Sequence, residues 1–121
     1  MKIILVTILF SFLYLGVVYA DEANVKKVKV VKVHKRTYLF RVTIIHKDEG
    51  WKHYADKYEV VSPDGKVLGT RILLHPHVDE QPFTRALAGV KIPEGIKEVI
   101  IRAHDSVHGY GGQTMKVTIP E

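Results

Sequence analysis

The 121-residue sequence contains no cysteine. A disulfide framework is therefore excluded, as are a thiolate metal ligand and a cysteine that could carry a lipid. The fold must be stabilised by the burial of apolar side chains, and the candidate metal ligands are nitrogen and oxygen atoms of histidine and acidic side chains. Such ligands suit zinc, copper(II) or nickel.

A sustained helical period is also missing after residue 20, as are internal repeats and low-complexity linkers. The 101 residues from 21 to 121 are enough for one hydrophobic core. We therefore expect one domain, residues 21–121, built from strands.

Residues 1–20 have the pattern of a signal peptide. Lys2 gives a positive start, Ile3–Val18 is almost unbroken apolar sequence, and small residues precede Asp21. We expect cleavage after Ala20 and a periplasmic or secreted mature chain. An uncleaved membrane anchor is the alternative, since the apolar run could almost span a bilayer.

The net charge of +5 is mild, and much of it comes from lysines that alternate with valines in Val25–Val33. Lysine on the wet face of an edge strand protects that edge from pairing with other chains. No aromatic-basic platform accompanies these lysines, so a nucleic-acid partner is not expected. We also expect a monomer that has no contact with membranes after signal cleavage.

Seven short runs alternate between apolar and polar residues, and turn signals such as Ser62-Pro63-Asp64-Gly65 separate them. This spacing predicts an all-β, antiparallel sandwich of immunoglobulin-like type, with a small barrel as the alternative. The phase of the first run slips between Val30 and Val31, which indicates a β-bulge there or a first strand that changes sheets. The predicted strands are Val25–Val33, Thr37–His46, Asp56–Val61, Lys66–Leu74, Phe83–Ile92, Lys97–Ala103 and Thr114–Ile119.

Successive connections in such a sandwich alternate between its two ends. By this rule three tight turns lie at one end, and three long, polar connections lie at the other, which is a common way to build a site. The long connections and the strand ends beside them hold six of the seven histidines: His46, His53, His75, His77, His104 and His108. His34 falls at the other end.

The segment His75-Pro76-His77 suggests a metal site. Residues two apart in an extended chain point the same way, and Pro76 favours an extended residue before it. Two imidazoles could therefore bind one ion. The ligands we favour are His75 and His77 with His53 or His108, and with His46 behind them; the ion would be zinc or copper.

Two other interpretations remain open beside the metal site. Histidines at strand ends often only bond the loop backbone, and Asp105 with Ser106 could form a side-chain-to-backbone turn. Alternatively, the long connections could form a metal-free recognition module for a small ligand or partner protein. Its aromatic floor would be Trp51 and Tyr54 with Phe83 and Tyr110, and its polar edge Glu80, Arg85 and Asp105.

Catalysis is not expected from this sequence. Asp105, Ser106 and His108 are too close together for a catalytic triad, whose members usually come from separate segments, and no nucleophile turn is present. We therefore predict no catalytic residues and a protein that is not an enzyme.

Five segments together resemble a family of small exported bacterial proteins to which no biochemistry is assigned: Gly50–Asp56, Pro63–Arg71, His75–His77, Glu80–Arg85 and Asp105–Gly112. The resemblance implies an exported single β-domain and points at the same long connections. His53, His75, His77 and His108 fall within these segments. His104 does not, so it ranks lower as a ligand.

Overall fold

A computed structural model describes residues 22–121, so the predicted signal peptide lies outside the described part of the chain. Seven strands confirm the all-β prediction, and residues 22–121 contain no helix. No helix able to cross a membrane is therefore present in that range. The strands are β1 Asn24–His34, β2 Thr37–Ile45, β3 Ala55–Val61, β4 Val67–Ile72, β5 Phe83–Lys91, β6 Glu98–Asp105 and β7 Met115–Thr118.

The strands form two sheets, and every pairing is antiparallel. The three-stranded sheet has the order β1-β2-β5, and the four-stranded sheet has the order β4-β3-β6-β7. In each sheet one face is turned toward the other sheet, which gives a β-sandwich-like arrangement with the core between the sheets.

Period-two alternation fills this core. In β6 every second residue is buried, starting with Val99 and Ile101. In β2 the buried residues are Tyr38, Phe40, Val42 and Ile44, each 0% exposed. Each fully buried valine, isoleucine or phenylalanine side chain contributes about 1.5–3 kcal/mol. These two strands lie inside their sheets and supply the centre of the core.

The predicted bulge between Val30 and Val31 is wrong. Those two residues pair in continuous register with Phe40 and Leu39, and the register shifts instead between Lys32 and His34 and between Val25 and Lys27. One extra residue is inserted in β1 between Val25 and Lys27, so the side chains that face the core change from odd to even numbers. Val25 therefore packs in the core, and Val28 and Val30 pack against it. Val31 lies on the outer face of an edge strand, where an exposed valine is tolerated.

The two ends of the sandwich differ. At one end, the turn end, chain reversal occurs in residues 35–36, 62–66 and 92–97, where Gly65 and Gly95 have positive φ. At the other, the loop end, the connections 46–54, 73–82 and 106–114 meet. The backbone N–H of Ser106 donates to the carbonyl of Tyr54, and that of His46 donates to the Gln81 side chain. The three long connections therefore share one end.

A buried tyrosine hydroxyl joins the two sheets. Tyr58 of β3 is 0% exposed, and its hydroxyl donates to the carbonyl oxygen of Arg85 in β5 at 2.9 Å. Burial raises the pKa of Tyr58 well above its usual value, so the hydroxyl remains a donor at any physiological pH.

We predict that Tyr58→Phe lowers the free energy of unfolding by about 1–2 kcal/mol, because the Arg85 carbonyl loses its buried donor. Urea unfolding measures the change. Tyr54→Phe is the matched control, because Tyr54 lies in a loop and is only half-buried. Equal stability of Tyr58→Phe and wild type would show that this bond does not help to join the sheets.

Candidate metal centre

The inward-facing side of each sheet ends in a polar residue at the loop end. His46 continues the buried series of β2 after Ile44, and Asp105 continues that of β6 after Ala103. Both are buried, with 2% and 0% exposure. The Nε2 atom of His46 lies 3.2 Å from Oδ2 of Asp105. An imidazole from one sheet therefore meets a carboxylate from the other directly above the core.

His53 adds a second imidazole from the connection 46–54. Its Nε2 lies 3.4 Å from the same Oδ2 of Asp105, and its ring packs edge-to-face on His46 with 4.9 Å between centroids. One ligand atom from each of His46, His53 and Asp105 lies within 4.8 Å of the other two. This group, here called the three-residue cluster, could hold a metal ion.

Each imidazole of the cluster also bonds a carboxylate on its other side. The Nδ1 atom of His46 lies 2.5 Å from Asp48, and that of His53 lies 3.1 Å from Glu49. In protein metal sites a ligating histidine is usually oriented by such a bond, which fixes the tautomer and directs the opposite nitrogen to the ion. The sequence alone did not single out Asp48 or Glu49, although the spacing His46-x-Asp48 was visible.

The two buried carboxylates are fixed by backbone donors. Asp48 accepts from the N–H of Ala55 at 3.0 Å and from that of His77 at 2.7 Å. Oδ1 of Asp105 accepts from the N–H groups of Val107 and His108 at 2.7 and 2.6 Å, the side-chain-to-backbone turn that the sequence suggested. These bonds leave Oδ2 of Asp105 directed at the two imidazoles.

The surroundings of Asp105 and His53 favour the ionised form of each. Burial alone would raise the pKa of Asp105, but the N–H groups of His108 and Val107 and the bond to His53 outweigh it and lower that pKa. Burial likewise acts to lower the pKa of His53, and its bonds to Glu49 and Asp105 outweigh burial and raise it. Asp105 is therefore an anion at neutral pH, as an oxygen ligand must be.

His75 and His77 lie together, with 4.6 Å between ring centroids, but neither belongs to the three-residue cluster. His77 is buried and stacks on Phe83, and its Nε2 accepts from the Arg85 guanidinium at 2.8 Å. Burial and the Arg85 charge lower its pKa. His75 is exposed. The backbone of His77, rather than its ring, serves the cluster, because its N–H holds Asp48.

The remaining histidines are not members of the three-residue cluster. His108 is exposed, and its ring packs edge-to-face on His53 with 5.1 Å between centroids. His104 faces the outer side of the four-stranded sheet, where its Nδ1 lies 2.6 Å from Asp56. His34 ends β1 at the turn end.

The aromatic side chains proposed for a binding floor are dispersed. Trp51 is 68% exposed and packs edge-to-face on Tyr54, with 5.7 Å between centroids. Phe83 is buried against His77, and Tyr110 lies over the outer face of the four-stranded sheet. Of the predicted polar edge, Glu80 is exposed, Arg85 bonds His77, and Asp105 belongs to the three-residue cluster.

The connection 106–114 is held against the four-stranded sheet by Tyr110. Its hydroxyl donates to Glu59 at 2.7 Å, and Glu59 pairs with Arg102 at 2.9 Å beneath the Tyr110 ring. At its far end Gly112 packs so closely on the carbonyl of Ala23 that any side chain there would collide with it. Both contacts fix the segment that supplies the donors to Asp105.

We predict that acid weakens the fold through Glu59. Burial would raise its pKa, but Tyr110 and Arg102 lower it below its usual value. Ionised Glu59 therefore adds stability above its unfolded pKa of about 4.3, and that stability is lost as pH falls through the lower folded pKa.

The measurement compares wild type with Glu59→Gln between about pH 6 and pH 3. The free energy of unfolding of wild type should fall more steeply, so the difference between the two proteins should shrink. Glu94→Gln, in an exposed turn, is the matched control. Parallel curves for wild type and Glu59→Gln would contradict the assignment.

Comparison with known proteins identifies one relative and no family. No known family profile matches the chain, and no solved structure matches it. The chain is similar to a protein of Halomicrobium mukohataei that carries the name "Putative lipoprotein", with 45% identity over 96 residues. The match covers 79% of this chain and 47% of the relative, so the chain spans about half the relative's length.

Proposed function

We propose that this protein is an exported β-sandwich that binds one divalent transition metal ion, zinc or copper(II), through His46, His53 and Asp105. The observation that carries the proposal is the spacing of the ligand atoms. Metal–ligand bonds of 2.0–2.2 Å in a tetrahedron place neighbouring ligands about 3.3–3.5 Å apart. Oδ2 of Asp105 lies 3.2 and 3.4 Å from the two Nε2 atoms.

The surroundings support the same proposal. Two imidazoles and one carboxylate form a nitrogen–oxygen set that suits these ions, and each imidazole bonds a carboxylate through Nδ1. A three-ligand site leaves a fourth position for water or another side chain. We assign that position to His108, whose ring packs on His53 and whose backbone is bonded to Asp105.

Export is supported by the signal-peptide pattern of residues 1–20 and by the name of the Halomicrobium mukohataei relative, which describes a lipoprotein. We propose a periplasmic or secreted location, a monomeric chain and an immunoglobulin-like fold. In support of the fold, strands 1, 2 and 5 share one sheet while strands 3, 6 and 7 share the other, as strands A, B, E and C, F, G do in immunoglobulin domains. Strand β4 differs from strand D of the constant-type domain, because it pairs with β3 in the second sheet.

We propose binding, not catalysis, as the activity. The buried imidazoles and carboxylates of the cluster bond one another or the backbone, which suits holding an ion in place. Such a site serves to store the ion, to deliver it, or to stabilise the fold when the ion is bound.

Recognition without metal is a second candidate, and the exposure of Trp51 favours it. A tryptophan that is 68% exposed beside Tyr54 offers an aromatic surface to a small ligand or partner protein. Such binding would survive a chelator, whereas binding through the three-residue cluster would not.

We predict that the metal-free chain takes up about one equivalent of zinc or copper(II) in isothermal titration. Uptake should weaken as pH is lowered, because protons compete for the imidazole nitrogens. At a free metal concentration of about a hundred times Kd, the free energy of unfolding should rise by about 2.7 kcal/mol.

Replacement of either central ligand tests the residue assignment. His46→Gln and Asp105→Asn should each lower affinity by more than about 100-fold, beyond the usual effect of losing an orienting partner. His75→Gln is the matched control and should bind as wild type does. Strong loss in His75→Gln with retention in Asp105→Asn would place the ion at His75 and His77 instead.

The orienting role of Asp48 has its own prediction. Asp48→Asn should lower metal affinity by about 10- to 100-fold without changing the stoichiometry, because His46 remains present but less well oriented. Glu80→Gln, an exposed acid in the neighbouring connection, is the control. Unchanged affinity in Asp48→Asn would show that Asp48 serves the fold alone.

A further inference from the structure

Charge is segregated between the two sheets. The three strands of the three-stranded sheet contain no Asp or Glu, whereas the four-stranded sheet carries both signs, including Asp56 and Glu59. The charged residues of β1, β2 and β5 are Lys26, Lys27, Lys29, Lys32, Arg41, Arg85 and Lys91. The three-stranded sheet is therefore uniformly cationic.

Three of these cations line a shallow cleft on the outer face of that sheet. Lys27, Lys29 and Arg41 surround it together with Thr43 and Thr84, and its volume is about 150 Å³. Strand register explains the grouping. Lys29 lies opposite Arg41, and Thr43 lies between Lys27 and Thr84, with its hydroxyl 2.7 Å from that of Thr84.

The cleft lacks an internal counter-charge. Within residues 22–121, none of Lys27, Lys29 and Arg41 forms an ion pair with a carboxylate. Like charges directly opposite each other on a sheet are destabilising, as in the pair Lys29 and Arg41. A bound anion would remove that repulsion and would also accept a hydrogen bond from whichever of the two threonine hydroxyls does not donate to the other.

Protection of the sheet edge accounts for only part of this pattern. Lysines on β1 do guard an edge strand. Arg41, however, lies on β2, the central strand of its sheet, where no edge is exposed. Nor does edge protection require the absence of acids from all three strands. Binding of an anionic ligand in the cleft would account for the rest of the pattern.

We propose that this cationic cleft binds an acidic polysaccharide, with a carboxylate or sulfate group of the sugar seated among Lys27, Lys29 and Arg41. Threonine hydroxyls suit both the charged group and neighbouring sugar hydroxyls. Among residues 22–121, no aromatic side chain lines the cleft, so bases have nothing on which to stack. Within the same residues no large apolar side chain lines it, so it offers nothing to insert into a membrane. The choice of a glycan rests on the proposed export.

The test uses the purified full chain with two probes, heparin for sulfate and polygalacturonate for carboxylate. The wild-type chain should bind at least one of the two. Its affinity for each is measured by titration across a series of salt concentrations. The triple variant Lys27→Gln, Lys29→Gln, Arg41→Gln should lose at least about tenfold in affinity. Its affinity should also depend less steeply on salt, because fewer counterions are released.

The matched control removes the same charge elsewhere, as Lys66→Gln, Lys97→Gln and Lys116→Gln. It should bind within about threefold of wild type. Arg41→Gln alone should weaken binding by at least about fivefold, outside the range allowed for the control, and serves if the triple variant unfolds. Loss on one glycan only would identify the charged group as sulfate or carboxylate.

Three results would overturn the proposal: no saturable binding of either glycan at low salt, equal losses in the triple variant and its control, or tighter binding of duplex DNA or anionic phospholipid vesicles than of both glycans. The same titration with a chelator should give unchanged affinity, since the cleft is separate from the three-residue cluster. Failure of the metal proposal is thereby distinguished from failure of this one.

Discussion

The contact between His46 and Asp105 is the constraint on which the loop end depends. It joins the inward faces of the two sheets above an apolar core, where unpaired charge would be costly. Each partner must therefore be satisfied from outside the pair. Asp48 and His53 meet that need, and both lie in the connection that follows β2. The connection 46–54 is long because it must bring the side chains of Asp48 and His53 back to the top of the core.

The other two long connections are organised by the same pair. Asp48 accepts the N–H of His77, which fixes the connection 73–82, and Asp105 accepts those of Val107 and His108, which fixes the connection 106–114. Three loops therefore converge on two carboxylates. A site held in this way is rigid around its ligand atoms, and preorganised ligands lose little entropy when an ion binds.

Much of this arrangement follows from sequence periodicity. Alternation identified all seven strands and placed His46 in phase with Ile44, and the same rule applied to β6 points to Asp105 after Ala103. The emphasis on His75 and His77 came from their local spacing. In the structure their rings have other partners: Phe83 stacks on His77, Arg85 donates to Nε2 of His77, and His75 bonds the carbonyl of Pro76. The contacts of His77 with Phe83 and Arg85 depend on the register of β5, which the local spacing of the histidines does not predict. In the same way, the position of the β1 bulge depends on how β1 pairs with β2.

Anomalous diffraction from crystals of the zinc-loaded chain tests the central claim most directly, because it locates the ion without any assumption about the ligands. The account predicts one strong peak within about 2.2 Å of Nε2 of His46, Nε2 of His53 and Oδ2 of Asp105. A peak bound instead by the rings of His75 and His77, or a fully loaded crystal with no ion at the loop end, would contradict it.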